Sequence, residues 1–350
     1  MAGTEIRFKF HHVDEEGGQV GFLAKKGRFD GETLVLGDDE LPIAAIVRAD
    51  RRFDRIILVV LQENGSAMPV VIAVKSRNVK ELLAALNRES SKRWTEATRE
   101  KLTREGRAAE FRAQPCPYCH SIVDLTGFKS TEQMFCGYCD TIVSLDGQAP
   151  TNEQDHALCD SCGYFSRPRE FATFYFYFLL IIYGFQHGKL FVCGACMRKE
   201  AWKMFLANLI FILGVPFALY QLTRVYLVDK TGLKSSFTGL DKANLLARKG
   251  KMTEAILRYS EICKTVTDYS GIRYNTGLAL VEKVDMERAA VQFEKALSLC
   301  SNHSPSFEAA CACHERAGHP ERAAALDQAW PGTEPDGKEP LVAEDLDETG

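Results

Sequence analysis

The sequence predicts a multidomain α+β chain: a small β-rich domain plus helix, two cysteine-rich modules, one hydrophobic membrane helix, and an α-helical repeat array. Three observations predict it. Residues 5 to about 75 alternate in short apolar and polar runs, and eight of the twelve cysteines stand in C-x-x-C pairs. The last hundred residues repeat with a period of thirty-four, behind a run of twenty uncharged residues. At 350 residues the chain has room for two or three domains of ~100–200 residues. Hydrophobic residues at 46% and charged residues at 26% exclude a wholly disordered or collagen-like chain. With 43 Lys and Arg against 47 Asp and Glu, the net charge of −4 offers no field to steer the whole protein onto nucleic acid. No catalytic constellation is visible, so the expected role is non-enzymatic.

The first element is a β-rich domain closed by a helix, residues 1–90. Ile6, Phe8 and Phe10 alternate with polar neighbours, as do Val20, Phe22 and Ala24. Leu34–Leu36, Ile43–Val47, Ile56–Leu61 and Val70–Val74 are short β-branched runs, separated by turns at Gly17-Gly18, Asp30-Gly31 and Asn64-Gly65. A helix follows, with Asn78 as N-cap, Glu81 at N3 and one apolar face of Val79, Leu82, Leu83 and Leu86. Strands closed by a C-terminal helix resemble the pleckstrin-homology-like superfold over residues 5–90. That likeness implies a fold and no activity.

Residues 91–114 read as a charged helical linker. From 79 to 112 there are nine Lys/Arg and six Asp/Glu, with Trp94, Leu102 and Phe111 as the large apolar residues of the charged part. Mixed signs favour a solvated spacer over a surface-binding basic helix. Met1–Phe10 lacks the apolar core of a secretory signal, so paired cysteines are expected as metal ligands in a reducing compartment rather than as disulfides.

Residues 115–147 hold Cys116-Pro-Tyr-Cys119 and Cys136-Gly-Tyr-Cys139, sixteen residues apart. Each C-x-x-C is expected to fold as a tight knuckle presenting two thiolates to one ion, and two knuckles complete a tetrahedron. The segment resembles a zinc ribbon. Two other patterns fit the same residues: C-P-Y-C is the glutaredoxin tetrapeptide, and Cys116 to His120 matches C-x-x-C-H haem attachment. The first needs a helix N-terminus at Cys116, and the second needs export.

Residues 156–200 carry Cys159-Asp-Ser-Cys162 and Cys193-Gly-Ala-Cys196, thirty residues apart. Between them lies an uncharged, aromatic stretch, 171–188. Were it to cross a membrane, the two pairs could not share one ion. Phe and Tyr at nearly every position favour strands, so 163–192 is read as an aromatic hairpin arm of a second ribbon. Cys159, Cys162, Gly163, Gly188, Leu190, Cys193, Cys196 and Trp202 resemble a zinc-binding, membrane-associated module of uncharacterised bacterial proteins. Spacing also admits a cross-braced exchange of knuckles between the quartets.

Residues 201–228 supply the membrane expectation, a transmembrane or re-entrant helix. Met204–Thr223 is free of charge and would cover about 30 Å as a helix, with Trp202 and Tyr220 at its ends. Gly214 and Pro216 allow a kink or a re-entrant hairpin.

From 236 to 335 the period is set by Ala255, Ala289 and Ala323. Ala243, Gly277 and Cys311 stand twelve residues earlier; Tyr259, Phe293 and Asp327 stand four later. Small residues and aromatics at these places resemble the tetratricopeptide repeat, in which antiparallel helix pairs stack and bind a protein partner. Cys263, Cys300, Cys311 and Cys313 are expected as buried apolar residues, with Cys311-Ala-Cys313-His314 as a weak metal candidate. The tail 336–350 is expected to be acidic and disordered.

Together these predict a membrane-anchored adaptor at a bacterial cytoplasmic membrane, with its zinc modules on the cytoplasmic side. About two zinc ions are held by Cys116, Cys119, Cys136, Cys139 and by Cys159, Cys162, Cys193, Cys196, and a protein partner binds the repeats. The alternatives are a thiol redox protein using Cys116 and Cys119, and a nucleic-acid-binding ribbon. Residues 116–200 hold six Lys/Arg against nine Asp/Glu, which argues against the latter.

Overall fold

The structure, a computed structural model, describes residues 5–14, 19–52, 55–62, 65–74, 79–145, 147, 149–179, 182–209, 214–228, 236–266 and 268–331. The expected cap at Asn78, the Gly17-Gly18 turn and the tail 336–350 lie outside them.

Alternation in the first part produces an antiparallel sheet of β1 (Ile6–Val13), β2 (Gln19–Phe29), β3 (Thr33–Leu36), β4 (Asp39–Pro42), β5 (Ile46–Arg52), β6 (Arg55–Leu61) and β7 (Ala67–Val74). Their order is β4-β3-β2-β1-β7-β6-β5. Ile6, Phe8 and Phe10 on β1 and Ile56, Leu58 and Val60 on β6 point to one buried face, where Leu82 and Leu86 of α1 (Val79–Arg104) cover them. Asn87 fixes the helix to the sheet, accepting from Ala49 N–H at 2.9 Å and donating to its carbonyl at 2.8 Å.

The helix continues into the charged part, yet it is not a free spacer. Ser90, Ser91 and Thr95 are buried on it, and Ser91 Oγ accepts from Ile122 N–H at 2.9 Å in the first cysteine module. Small hydroxyl side chains let the backbones approach where charged ones would hold them apart.

That module has two short hairpins, β8 (Ala113–Pro115) with β9 (Ile122–Asp124) and β10 (Gln133–Cys136) with β11 (Thr141–Ser144). Another, β12 (Ala157–Leu158) with β13 (Phe165–Ser166), opens the second module. A long pair follows, β14 (Arg169–Leu179) and β15 (Ile182–Val192), in continuous antiparallel register from Arg169↔Val192 to Leu179↔Ile182. The aromatic stretch is therefore strand on both sides of residues 180–181, which lie outside the described residues.

Among the described residues the expected membrane helix is not observed. Residues 204–223 are divided between α2 (Gly194–Leu209) and α3 (Val215–Val228), which pack on each other, and residues 210–213 lie outside the described ones. No helix among the described residues is long and apolar enough to cross a membrane, which overturns the expected anchor and leaves the expected membrane location without support. The cause is local. Pro216 cannot donate the helical hydrogen bond, so it belongs in the first turn of α3 rather than mid-helix. Gly214 sits so close to Asn208 that an added Cβ would meet Asn208 Oδ1 at 1.9 Å. Asn208 is itself buried and donates to the carbonyls of Phe174 and Met204. Apolar residues of the run have a protein neighbour instead: Met204, Ala218 and Leu222, with Val225 just beyond it, form one core with Phe171, Leu190 and Val192. The outer faces leave Leu206, Leu219, Tyr220 and Leu227 exposed.

The repeat forms three antiparallel helix pairs: α4 (Leu240–Arg248) with α5 (Met252–Thr265), α6 (Ser270–Glu282) with α7 (Met286–Leu299), and α8 (Ser304–Arg316) with α9 (Pro320–Ala329). Ala255, Ala289 and Ala323 are buried at equivalent turns, as are the aromatics Tyr259 and Phe293. Gly277 is required by Phe293, whose ring an added Cβ would meet at 2.5 Å. Cys300 and Cys313 are buried, while Cys263 and Cys311 are half-buried.

Candidate metal centres

Three of the four C-x-x-C pairs are knuckles between paired strands. In the first, Cys116 N–H donates to Ser121 O, and His120 N–H returns to Cys116 O, both at 2.9 Å. The third repeats this with Cys159 to Tyr164 O and Gly163 to Cys159 O. To fold back so tightly, the residue after each second cysteine takes a positive φ: His120 at 62°, Asp140 at 55° and Gly163 at 70°. His120 is exposed and serves the turn. The fourth pair differs. Cys193 precedes α2, Cys196 lies in its first turn, and Met197 N–H donates to Cys193 O at 2.8 Å. A helix N-terminus stabilises thiolate there. The expected knuckle is therefore a helix start here, and the run of helix formers from Ala195 to Ala201 is the sequence signal for it.

The quartets assemble as expected from spacing, without exchange of knuckles: Cys116, Cys119, Cys136 and Cys139 in one, Cys159, Cys162, Cys193 and Cys196 in the other. In each, the ligand atoms all lie within 4.8 Å of one another. Cys116–Cys139 and Cys119–Cys136 Sγ distances are 3.8 and 3.6 Å; Cys159–Cys196 and Cys162–Cys193 are 3.7 and 3.8 Å. A metal–sulfur bond near 2.3 Å gives a tetrahedron whose edge is about 3.8 Å. A disulfide needs about 2.05 Å, and all twelve cysteines are free thiols. The donor set thus fits one closed, four-coordinate ion per quartet. Among the described residues these are the two clusters of metal-binding geometry; Cys311, Cys313 and His314 do not form a third, and His314 Nε2 lies 2.8 Å from Glu294.

Thiols within each quartet titrate unequally. Hydrogen bonds with Cys116 hold Cys119 far below the ordinary thiol range, while those with the same neighbour push Cys136 up. In the second quartet Cys162 holds Cys159 down and is itself pushed up. Binding a metal displaces the protons that remain.

Beyond the sulfurs the centres diverge. At the first, Thr141 Oγ1 lies 2.9 Å from Cys139 Sγ. Cys119 and Cys139 also form part of the wall of a cleft of about 490 Å³, shared with Tyr118, Lys80 and Arg167. At the second, Cys193 N–H donates to Cys159 Sγ at 3.3 Å, and Arg248 at the end of α4 donates through Nη1 to Cys196 Sγ. Burial works against the Arg248 charge, but the sulfurs of Cys196, Cys162 and Cys193 outweigh it and hold its pKa above the ordinary value.

Both centres bear on the repeat array. Phe135, which immediately precedes Cys136, has its N–H and carbonyl bound by Asn302 at 2.9 and 2.8 Å. Phe165, three residues beyond Cys162, is bound by Asn275 through N–H and carbonyl at 2.7 Å each, and Asn244 adds a bond to that carbonyl. Its ring packs on Gly271, where an added Cβ would meet ring carbons at 2.5–2.8 Å. Buried Glu153 joins the first module to the array by accepting from Ser144 Oγ at 2.6 Å and from the Tyr118 and Tyr269 hydroxyls at 2.8 Å. None of Asn244, Asn275, Asn302, Glu153 or Arg248 was singled out by sequence, because each reaches a partner far along the chain. Phe165 is 79 and 110 residues from Asn244 and Asn275, Phe135 is 167 from Asn302, Tyr269 is 116 from Glu153, and Cys196 is 52 from Arg248.

No family model matches this chain, and no curated protein matches it. Solved structures of MamA, including mutant forms and the AMB-1 protein, align at 17% identity over 38% of this chain and 70–74% of theirs. Their TM-scores are 0.23–0.25, too low to decide anything about this chain. The pleckstrin-homology likeness of residues 5–90 finds no support among these matches.

Proposed function

We propose that the protein is a zinc-binding adaptor: two structural tetrathiolate centres hold the modules on which a helical array is seated, and the array recruits a protein partner. What carries this is the placement of four sulfurs in each quartet at the edge lengths of a tetrahedron. An all-thiolate, closed site without an open position suits structural zinc and leaves no coordination site for catalysis. Cys116 stands in a hairpin knuckle, not at a helix N-terminus, which supports metal binding over the redox alternative. Mild acidity of residues 116–200 speaks against nucleic acid.

The test is thermal unfolding of the full chain, with and without a strong chelator, alongside elemental analysis. Zinc in the purified protein and a large downward shift of the helical transition on chelation are expected. Metal-free protein that unfolds at the same temperature, or cycles a Cys116–Cys119 disulfide in a glutathione buffer, would overturn the proposal.

A further inference from the structure

Four thiolates around a divalent ion leave a net charge of about −2. In a protein interior that charge is costly unless donors or cations face it. At the first centre Thr141, a neutral hydroxyl, meets Cys139, and the cleft beside Cys119 and Cys139 gives them solvent. At the second, Cys159, Cys193 and Cys196 are buried, and Cys196 is faced by the Ser161 side chain and by a guanidinium from a residue 52 positions away. An arginine does not lose its proton, so this charge is fixed.

Arg248 also ends the first helix of the repeat array. The same helix reaches the second module at another point, where Asn244 binds the Phe165 carbonyl. Seating of α4 therefore depends on Phe165 and on the quartet at once.

We propose that Arg248 is a positioning residue of the second metal centre, supplied by the helical array: it offsets the charge of the metal-bound thiolates and makes metal occupancy there and docking of α4 mutually dependent. This rests on the metal-binding reading above. By linkage, whatever Arg248 adds to metal affinity, the metal adds to helix docking. Outer contacts of this type change metal affinity by about 10–100-fold when removed.

The experiment uses zinc-loaded full-length protein and its Arg248→Met and Arg248→Lys variants. Metal is withdrawn with a graded chelator, and cysteines freed at each step are alkylated and mapped, which assigns every loss to one quartet. In Arg248→Met, Cys159, Cys162, Cys193 and Cys196 are expected to become reactive at about 10–100-fold lower chelator activity, with Cys116–Cys139 unchanged and Arg248→Lys intermediate. Amide exchange in 240–248 should rise in Arg248→Met, and equally when the wild type loses its second ion. Cobalt substitution adds a spectroscopic readout, a shifted sulfur-to-metal band at the second centre alone. Should Arg248→Met not fold, Arg248→Lys is compared with Arg248→Gln. Identical release profiles in folded wild type and charge-removed variants would overturn the role of Arg248. A wild type binding no metal at the second quartet would instead overturn the metal reading itself, before any variant is compared.

Discussion

The two quartets share a ligand chemistry and differ in how the chain builds them. The first is symmetric, two knuckles on two hairpins, with a neutral hydroxyl outside and a cleft along one wall. The second joins one knuckle to a helix N-terminus and is faced by a cation from the repeat array. The first can be assembled from residues 113–144, whereas the second needs α4, more than forty residues beyond its last ligand. The array meets the first beside its ligands, at Phe135, and the second at a ligand sulfur, so the first is the local staple and the second the junction at the metal site itself. A small segment that cannot bury enough apolar surface would gain stability from an ion in either case. Both modules are held by asparagines of the array, but among the described residues it is at the second that the array places a cation on a ligand sulfur.

The comparison sharpens most at the two phenylalanines that anchor the array. Phe165→Ala removes a fully buried ring and is expected to cost about 3–5 kcal/mol, as for other buried aromatics. Its signature is loss of the α4–α6 helical transition with the first quartet still protected from alkylation. Equal exposure of both quartets would break the distinction between staple and junction.

Acid should act at the other anchor. His303 is fully buried against Phe135 and Tyr274, its Nδ1 lies 2.6 Å from Ser306 Oγ, and burial lowers its pKa to about 3. The folded state therefore binds fewer protons than the unfolded state between about pH 3 and 6.5. Stability from this residue is complete above pH 6.5 and is lost as pH falls, by ~1.4 kcal/mol per unit or about 2 kcal/mol by pH 5. Urea unfolding at pH 7.5 and 5 measures it. His303→Gln is expected to flatten the pH dependence relative to wild type, a difference independent of metal loss common to both proteins. An unchanged dependence would remove His303 from the account.

The smallest effect concerns access. Cys119 and Cys139 line the cleft, while Cys162 is the one second-quartet ligand that is not buried. Chelator should therefore strip the first centre sooner, by a several-fold difference in rate seen in the order of alkylation. The reverse order would show that solvent access does not govern release.

Much of this was legible in the sequence, for reasons that are themselves physical. A knuckle is local, so C-x-x-C spacing located all eight clustered thiols, and helix stacking constrains equivalent turns, so Ala255, Ala289 and Ala323 marked the repeat. Arg248 and the asparagines act across the fold, and no local pattern distinguishes them from surface residues. The run at 204–223 misled because a stretch buried against an aromatic hairpin has the same hydropathy as one facing lipid. Its breakers were in view as Asn208, Gly214 and Pro216, but the weight of an asparagine lies in what it binds, here the Phe174 carbonyl. The fourth cysteine pair shows the same limit, since C-x-x-C occurs both in knuckles and at helix starts.

Metal stoichiometry in single-cysteine variants tests the central claim most directly. Wild type is expected to carry about two zinc ions per chain, Cys136→Ser to lose one and release only Cys116, Cys119 and Cys139 to alkylation, and Cys193→Ser to lose one and release only Cys159, Cys162 and Cys196. A wild type without metal, or loss of both ions in either variant, would contradict two independent tetrathiolate centres.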